Sequence, residues 1–568
     1  MIVEKLEKLI KKVLTQDVEV TFEHPENFEH GDYSSNVALV LGQQTKQNPR
    51  ELAEKIAGSI EKVKEVERIE VAGAGFLNFF LSKEYLLKEA QKIVEQKEKY
   101  GLGAEKKKVM IEFTDPNPFK EFHIGHLYSN AAGESLSRLL VATGAEVKRV
   151  NYQGDVGLHV AKAIWGMQEN LKEEGLSLKK LGEKDLSFRM KFLGQSYAKG
   201  DKAYVQGIAK EDIEDLNIKI FAQDKDVQEF YELGRKWSLE AFEQIYKRLG
   251  TKFDYYYFES DAAKIGKKIV EDGVKKGVFE KSQGAIIFPG EKYGLHTRVF
   301  INSQGLPTYE AKDLGLAPTK YKDFPFDLSL SITGNEQKAY FQVVFAALKE
   351  VNSKLGEKMQ HISHGMVRLP EGKMSSRTGN IVTGEGLIDE VKSRVQDIMK
   401  SSENEMSEEE KEIAVEIIAV GAVKYSLLRI SLGRDIIFDF EKSLSLEGES
   451  GPYIQYTYAR CKSILRQSSL SSKEFNVAEL SFEEEKLLRL LYRFPEVVRS
   501  AAQNFSPHMV ASFVFDIAQA YNNFYAKNRV LQADTKEQKD FRLLLTAATA
   551  QIIQNSLNLL GIKTLERM

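Results

Sequence analysis

Two histidines near the start of a predicted helix give the strongest chemical signal in the chain. His123 and His126 lie in the segment DPNPFKEFHIGHL (115–127), just after an apolar run that ends near Thr114. A helix N-terminus offers unpaired N–H groups and the positive end of a dipole, and both attract phosphate. The spacing of three residues puts the two rings on one helix face, and Gly125 between them lets a flat ring approach closely. The segment therefore predicts a nucleotide site.

Two other interpretations of these histidines are open when the segment is taken alone. A zinc site would need a third ligand and usually an HExxH spacing. The two rings could also be surface side chains without a chemical role.

A second segment, MVRLPEGKMSSRTGNIVT (366–383), combines two cations with a polar stretch between glycines. Lys373 and Arg377 lie between Gly372 and Gly379. A loop of this kind can close over a triphosphate and neutralise the charge that develops in a transition state. Taken alone, the segment is equally compatible with an ordinary surface loop.

The elements around the histidines indicate a parallel sheet. The run KKVMIEFT (107–114) predicts a buried strand, a helix follows over 123–144, and EVKRVNYQ (146–153) predicts a second strand. A strand, a helix and a strand over about 45 residues form the βαβ unit of α/β folds. Further strand candidates are GAIIFPG (284–290), HTRVFIN (296–302) and DLSLSIT (327–333).

The flanking regions have different patterns. Near the N-terminus we expect a helix over 3–14, a strand over VEVTFEH (18–24), a helix over 48–60 and strands within 68–82. From about residue 385 nearly every window has a helical pattern. We therefore expect an N-terminal α+β domain, a Rossmann-like doubly wound parallel-sheet domain with a helical insertion at about 165–280, a helical connecting region and a C-terminal all-α domain. The predicted boundaries are 1–105, 106–385, 386–445 and 446–568.

The composition excludes several classes of protein. Of 568 residues, 42% are hydrophobic and 29% charged, which is typical of a folded globular protein. Cys461 is the only cysteine, so a disulfide framework and a multi-cysteine zinc site are excluded, and a reducing compartment is expected. No apolar run approaches the roughly 18 residues of a membrane span, and the start of the chain does not resemble a signal peptide. With 80 basic and 83 acidic residues, any polyanion site must be a local basic patch.

Taken together, the His-Ile-Gly-His and Lys-Met-Ser-Ser-Arg segments on a doubly wound sheet resemble the two signatures of class I aminoacyl-tRNA synthetases. The detailed resemblance is to the arginyl-tRNA synthetase family and covers essentially the whole chain. It is carried by IEFTDPNPFKEFHIGHL, NYQGDVG, LPTYEAKD, GNEQ, GPYIQYTYAR and LGIKTLERM. The resemblance implies an N-terminal domain that contacts the tRNA elbow, a Rossmann catalytic domain and a helical anticodon-binding domain.

The resemblance also implies roles for individual residues. The implied catalytic residues are His123, His126, Lys373, Lys120 and Arg377. The implied ATP-binding residues are His123, Gly125, His126, Glu336, Lys373, Ser375 and Ser376. The implied arginine-binding residues are Glu112, Asn117, His123, Tyr309, Asp313 and Gln337.

The pattern of the arginine-binding residues suits a guanidinium. Glu112 ends the first strand of the βαβ unit, and ligands bind at the carboxyl ends of parallel strands. Tyr309 and Asp313 are four residues apart and share a face if their segment is helical. By resemblance these three hold the guanidinium, while Asn117 and Gln337 hold the α-amino group. Taken singly, a solvent-facing strand residue, a core tyrosine and a surface carboxylate remain the alternatives.

Two positions depart from the family pattern. The class I loop is Lys-Met-Ser-Lys-Ser, whereas this chain has Ser376 and Arg377 in its last two positions. The resemblance implies that a lysine before the histidine motif compensates, as in arginyl enzymes, and Lys120 occupies that place. The second departure is His159, where family members often carry glutamine; this change is expected to alter details of the substrate pocket.

The C-terminal region contains two helical stripes of aromatic and basic residues. Tyr453, Tyr456 and Arg460 form one stripe, and Tyr525 and Arg529 form the other. Such stripes suit unstacked RNA bases, although the pattern alone favours amphipathic packing. The resemblance makes these residues and the terminal Met568 candidate tRNA contacts.

The resemblance further implies ATP with Mg²⁺ as a substrate complex and no protein-bound structural metal. The expected partners are tRNA(Arg) and arginine, without DNA or membrane, for a monomer in the cytoplasm. Three rival functions are alternatives to this interpretation: another class I synthetase, a tRNA-binding paralogue without activity, and a small-molecule nucleotidyltransferase. The single cysteine argues against a cysteinyl enzyme, the intact histidine motif and Lys373 argue against a silent paralogue, and the long helical tail argues against a nucleotidyltransferase.

Overall fold

The computed structural model describes residues 1–14, 16–369, 383–400, 406–468, 475 and 479–568. Lys373, Ser375, Ser376 and Arg377 of the predicted phosphate-binding loop lie outside these residues.

The N-terminal region is an α+β unit. Its helices are α1 (Ile2–Val13), α2 (Val37–Thr45), α3 (Pro49–Ser59) and α4 (Lys83–Gln96), and its strands are β1 (Tyr33–Ser35), β2 (Val66–Ala72) and β3 (Phe76–Leu81). The strands form an antiparallel sheet in the order β1-β3-β2. The expected strand over 18–24 is wrong: Val18 and Val20 are buried, but only Glu23 pairs, in an isolated bridge to Ser34. The alternation there reflects burial without a neighbouring strand.

The remaining elements follow in chain order. Strands β4 to β13 are Lys108–Phe113, Glu146–Gln153, Tyr255–Phe258, Glu280–Ser282, Ala285–Phe288, Arg298–Ile301, Leu328–Gly334, Met359–His364, Val367–Arg368 and Ile436–Ile437. Helices α5 to α14 are Ile124–Ala142, Leu158–Glu174, Leu178–Gly182, Leu186–Val205, Lys210–Phe221, Lys225–Leu249, Glu259–Lys275, Tyr309–Asp323, Lys338–Val351 and Ser353–Gly356. Helices α15 to α22 are Gly384–Lys400, Glu408–Leu428, Phe440–Leu444, Gly451–Gln467, Phe482–Leu491, Phe494–Gln503, Pro507–Lys527 and Lys536–Leu559.

The central sheet is parallel and has the order β11-β10-β4-β5-β6. From β4 the chain passes through α5 to β5 on one side, whereas β10 lies on the other side. Strand order therefore reverses between β4 and β10, and a crevice for ligands is expected at the carboxyl ends of these two strands. The predicted Rossmann-like doubly wound fold class is confirmed, with the N-terminal α+β and C-terminal helical parts.

The middle of the chain differs in detail from the sequence-based expectation. The range 165–280 is not helical throughout, because β6 lies within it and forms an edge of the central sheet. The segments 284–290 and 296–302 contain β8 and β9, but these strands form a separate antiparallel sheet with β7, in the order β7-β8-β9. Only 327–333 of the later candidates contributes a strand, β10, to the central sheet.

Helix α5 connects the crevice to the C-terminal helices. Its N-terminus follows β4, while its later turns contact α20, α21 and α22. Ser135 on α5 donates a hydrogen bond to the carbonyl of Leu559 at 2.9 Å, and Arg138 donates to the carbonyl and side chain of Asn558. The helix that begins at the histidine motif thus rests directly on the end of α22. In the described parts of the chain, no helix has the length and apolar character needed to cross a membrane.

Candidate active site

The two motif histidines cap the N-terminus of α5 reciprocally. The Nδ1 of His123 accepts from the backbone N–H groups of Gly125 (3.1 Å) and His126 (3.4 Å), and the Nδ1 of His126 accepts from the N–H of His123 (3.2 Å). The two rings stack with centroids 3.6 Å apart. Because Nδ1 is an acceptor in both rings, each neutral ring carries its proton on Nε2. Both Nε2 atoms are therefore suited to donate to a phosphate.

The electrostatic surroundings keep these rings neutral. Burial lowers the pKa of His126 well below its ordinary value, and the nearby charges of His123 and Lys120 lower it further. Burial, followed by Lys120, also lowers the pKa of His123, but less far. Near neutral pH the pair therefore acts through hydrogen bonds and the helix dipole, without positive charge of its own.

Gly125 is required by this arrangement. A Cβ at this position would lie 2.9 Å from Cε1 and 3.0 Å from Nδ1 of the His123 ring. Any side chain at 125 would displace the ring that caps the helix.

The turn between β4 and α5 is strained. Thr114 (φ 78°) and Asp115 (φ 44°) are two successive non-glycine residues in the left-handed region, at a cost of about 1–3 kcal/mol each. Asp115 accepts the N–H of Tyr152 at 2.7 Å, and the N–H of Thr114 donates to Ser129 Oγ at 2.9 Å. These bonds to β5 and α5 hold the turn in place. Backbone strain of this kind is often found at functional sites.

Three acidic side chains, those of Glu112, Asp115 and Asp313, cluster beside the N-terminus of α5, and we call this cluster the acidic pocket. The buried Glu112 on β4 pairs through Oε2 with Nζ of Lys320 at 2.8 Å, and Tyr340 donates to Oδ2 of Asp313 at 2.5 Å. Burial, followed by the charge of Glu112, raises the pKa of Asp313 well above its ordinary value. The same two causes raise the pKa of Asp115 strongly. A bound cation would favour the ionised carboxylates, so the pocket suits a positively charged group.

The structure places the other implied arginine-binding residues on three further segments of the chain. Asn117 lies against the loop after β5, since a Cβ on Gly154 would come 2.3 Å from its Oδ1. Tyr309 begins α12, is 52% exposed, and has Nζ of Lys312 4.6 Å from its ring centroid. Gln337 is exposed in the turn Asn335–Gln337, directly after β10.

The implied phosphate-side residues lie at the same sheet edge. Glu336, in the turn after β10, folds back over Gly334, and its negative charge acts on His123. Lys120 places its Nζ 4.8 Å from the ring centroid of Tyr197, and burial lowers its pKa. The described structure thus brings His123, His126, Lys120 and Glu336 to one place and Glu112 and Asp313 to the next.

Several residues of the pocket were not identified from sequence. Lys320 is seven residues after Asp313, a spacing that returns to the same helix face, and this signal was available. Glu259 pairs with Lys312 at 2.5 Å, and Tyr340 comes from the next helix. Nothing in the local sequence distinguishes these two from ordinary surface or core residues.

His159, the second departure from the family pattern, is buried on α6. Its Nε2 bonds to the carbonyl of Gly154 at 2.8 Å, which makes Nε2 the donor. Burial, followed by the charge of Lys120, lowers the pKa of His159 to about 3. The ring therefore stays neutral and supports the loop against which Asn117 packs.

A separate cleft of about 1100 Å³ lies in the helical C-terminal region. Its lining includes Tyr456, Arg460, Tyr525, Arg529 and Met568. The guanidinium of Arg460 lies 4.8 Å from the ring centroid of Tyr456 and 5.2 Å from that of Tyr525. Basic groups interleaved with aromatic rings suit single-stranded RNA.

Tyr453, the remaining implied tRNA contact, is directed away from this cleft. Its ring packs against Phe515 and its hydroxyl accepts from Asn522 at 2.9 Å. Cys461 is buried on the same helix, as expected for a structural residue.

Family models match three successive parts of the chain. Residues 1–81 match the arginyl tRNA synthetase N terminal domain, and residues 89–440 match the catalytic domain of class I (R) tRNA synthetases. Residues 454–568 match the DALR anticodon binding domain.

Individual proteins match over nearly the full length. An arginine–tRNA ligase of Treponema denticola is 32% identical over an alignment 574 positions long, which covers 98% of this chain and 96% of the relative. An arginine–tRNA ligase of Flavobacterium psychrophilum is 32% identical over 554 residues, covering 92% and 90%.

Two solved structures share the fold. The arginyl-tRNA synthetase of Thermus thermophilus superimposes with a TM-score of 0.83 at 24% identity, over all of both chains. The arginyl-tRNA synthetase of Plasmodium falciparum gives a TM-score of 0.81 at 22% identity, over 100% of this chain and 99% of the other.

Proposed function

The chain belongs to the class I arginyl-tRNA synthetases, and on this premise we propose that it is an ATP-dependent arginine–tRNA ligase acting where β4, β10 and α5 meet. One observation carries the proposal, namely two unlike sites side by side at one sheet edge. The N-terminus of α5 attracts phosphate, while Glu112 and Asp313 attract a cation. Arginine fits both, because its guanidinium can enter the acidic pocket while its carboxylate meets ATP.

The first step joins arginine to AMP. A carboxylate oxygen of arginine attacks the α-phosphorus of ATP, and the bond from this phosphorus to the pyrophosphate oxygen breaks. Arginyl-adenylate and pyrophosphate are the products. No bond to the protein forms, so no nucleophilic serine or cysteine is needed. Positioning and stabilisation of phosphate charge supply the catalysis.

The phosphate side of the site combines hydrogen-bond donors with cations. His123 and His126 donate their Nε2–H groups to phosphate oxygens, and Lys120 contributes charge nearby. Gly125 leaves room for adenine and Glu336 holds the ribose. Lys373, Ser375, Ser376 and Arg377 complete this side from the loop outside the described residues. Mg²⁺ enters with ATP as part of the substrate complex.

The arginine-binding part of the site selects for the planar guanidinium group and its N–H donors. Glu112, Asp313 and Tyr309 hold the guanidinium, whose five N–H groups and fixed charge suit carboxylate pairs. Asn117 and Gln337 hold the α-amino end, and His123 lies next to the reacting carboxylate. Lysine lacks the fork and would leave buried acceptors unpaired, so it is rejected.

The second step transfers arginine to tRNA. A ribose hydroxyl of the terminal adenosine of tRNA(Arg) attacks the carbonyl carbon of the adenylate, and AMP leaves. The C-terminal cleft with Tyr456, Arg460, Tyr525, Arg529 and Met568 supports binding of the anticodon loop. Tyr453 contributes indirectly, through Asn522, which also accepts from Arg460.

The division of labour along the chain follows from the same premise. Residues 1–105 bind the tRNA elbow, 106–385 catalyse, 386–445 connect, and 446–568 bind the anticodon. We place the protein in the cytoplasm as a monomer.

Charging of tRNA tests this function directly. The purified protein is incubated with ATP, total tRNA and each of the twenty radiolabelled amino acids in turn, and acid-precipitable label is counted. We expect charging with arginine alone. Charging with a different amino acid would refute the assigned substrate, and absence of charging by folded protein would refute the ligase activity.

A further inference from the structure

The hydroxyl of Tyr152 is buried and makes no hydrogen bond within the described chain. The side chain is 8% exposed, and its hydroxyl has no hydrogen-bond partner in the described part of the chain. Leaving a buried polar group unpaired is unfavourable, and most such groups in folded proteins are paired. The hydroxyl is therefore suited to receive a partner from a ligand.

The register of the sheet directs this side chain to the acidic pocket. Glu112 on β4 lies opposite Val150 on β5, so Tyr152, two residues further on, points to the same sheet face as Glu112. Helix α12 covers this face, and the ring of Tyr152 packs against Leu316 on it. Leu316 is three residues after Asp313, so the ring lies one helical turn from that carboxylate.

The charges around the hydroxyl agree with this location. The carboxylates of Asp313, Glu259 and Glu112 act on it and, after burial, raise the pKa of Tyr152 well above its ordinary value. The hydroxyl thus stays protonated at any pH at which the protein is assayed, and it remains a neutral group that can both donate and accept.

The two carboxylates of the pocket are already partly engaged. Lys320 occupies Oε2 of Glu112, and Tyr340 occupies Oδ2 of Asp313. A guanidinium brings five N–H donors, so a further acceptor in this pocket improves the match. Of the groups beside Glu112 and Asp313, the Tyr152 hydroxyl is one that lacks a partner in the described chain.

We propose that Tyr152 is an additional arginine-binding residue, whose hydroxyl accepts a guanidinium N–H when arginine occupies the pocket. This inference rests on the proposed function and adds a specificity-determining contact to it. Removal of the hydroxyl weakens arginine binding, while ATP binding is unaffected because the α5 N-terminus is unchanged.

The test compares Tyr152→Phe with the unaltered protein in arginine-dependent ATP–pyrophosphate exchange, with tRNA(Arg) present. We expect the KM for arginine to rise about tenfold, the effect of losing one hydrogen bond to a charged group, with the KM for ATP unchanged. The thermal unfolding midpoint should not fall, because the hydroxyl has no described partner to lose. Tyr256→Phe on the next strand, whose hydroxyl donates to Glu243, is the matched control and should leave the KM for arginine unchanged.

The outcomes separate this inference from the proposed function. An unchanged KM for arginine in Tyr152→Phe overturns the contact, and so does a raised KM accompanied by a lowered unfolding midpoint. Combining Tyr152→Phe with Asp313→Asn should raise the KM by less than the product of the single effects, because both groups bind one guanidinium. If the increases in the KM for arginine multiply strictly in the double variant, Tyr152 and Asp313 do not bind the same guanidinium. If the unaltered protein shows no arginine-dependent exchange, the proposed function itself fails.

Discussion

Nζ of Lys320 lies 2.8 Å from Oε2 of Glu112, and both side chains are buried in the pocket assigned to arginine. The pocket therefore contains a cation of its own before any substrate enters. Lys320 is on α12, two turns after Asp313. The same helix therefore supplies the carboxylate of Asp313 and, through Lys320, holds the carboxylate of Glu112 in place.

Replacing Lys320 should weaken arginine binding and folding together. In Lys320→Met, Glu112 loses its only described ion-pair partner and remains buried, which costs about 3–5 kcal/mol when one member of such a pair is removed. We expect a raised KM for arginine, because a buried carboxylate without its counter-ion takes up a proton and loses the charge that attracts the guanidinium, and we expect a lower unfolding midpoint. The control is Lys322→Met, at an exposed position on the same helix, which should change neither.

A double variant separates the two effects of Lys320. Glu112→Gln with Lys320→Met removes both charges, so the unfolding midpoint should recover part of the loss. Arginine should still bind poorly, since the carboxylate is absent. Full recovery of arginine binding in the double variant would show that Glu112 has no part in recognition.

The histidine pair should govern turnover more than arginine affinity. His126→Ala removes both the Nδ1 acceptor and the Nε2 donor, and we expect kcat for pyrophosphate exchange to fall about 100-fold. His126→Gln should retain part of the activity, because its amide N–H can reach the position of Nε2. Equal activity in both variants and the unaltered protein would contradict a role in phosphate binding.

His159 should make stability depend on pH. Its pKa is about 3 in the folded protein, against an ordinary value of 6.5, so the unfolded chain binds one more proton between these values. Stability is fully present above pH 6.5 and falls as the pH decreases toward 3, by up to about 1.4 kcal/mol per pH unit.

His159→Gln should remove this contribution. We expect urea midpoints of the variant to depend less on pH between 6.5 and 4.5 than those of the unaltered protein. Trp165 and Trp237 lie in the hydrophobic cluster that α6 helps to form, so tryptophan fluorescence reports its unfolding. Urea midpoints that depend equally on pH in His159→Gln and in the unaltered protein would contradict the neutral, buried state of this ring.

The C-terminal cleft should control tRNA affinity alone. Arg529 is exposed and lines this cleft. In Arg529→Gln we expect a raised KM for tRNA. We also expect the tRNA affinity to fall less steeply with salt concentration, by about one released counterion. The KM for ATP should not change. Lys268→Gln, an exposed change on α11, is the control. A normal KM for tRNA in Arg529→Gln would place the RNA elsewhere.

The N-terminal and C-terminal parts are joined by a buried ion pair. Arg489 lies 2.6 Å from Asp32, and both side chains are buried; Tyr33 and His24 also bond to Glu496 across this joint. Arg489→Met should lower the unfolding midpoint and leave the KM for arginine unchanged, because the joint is remote from the pocket. An altered KM for arginine would show that the joint acts on the active site.

The sequence predicted best where a pattern is local. The strand, helix and strand around His123 agree with β4, α5 and β5 to within two residues, because apolar runs and Gly144 mark their ends. Strand β6 was missed, because its residues Tyr255–Phe258 are all aromatic and show no alternation. The strand predicted over 18–24 was wrong for the opposite reason. Apolar and polar residues alternate around Val18 and Val20, but a buried segment can show this alternation without a partner strand.

The pocket required tertiary information. Glu112 and Lys320 are 208 residues apart, and Tyr152 becomes conspicuous only when its hydroxyl is seen to lack a partner. The motif residues were found because their chemistry is local to one turn of helix. The residues that support them come from distant strands and helices, whose pairing a single sequence does not reveal.

ATP–pyrophosphate exchange with each of the twenty amino acids, with and without tRNA(Arg), tests the central claim most directly. The account predicts exchange with arginine and with no other amino acid, and we expect it to require bound tRNA. Exchange with arginine in the absence of tRNA would leave the active site as described and remove only the requirement for tRNA. Exchange driven by another amino acid, or no exchange by folded protein that binds tRNA(Arg), would contradict the account.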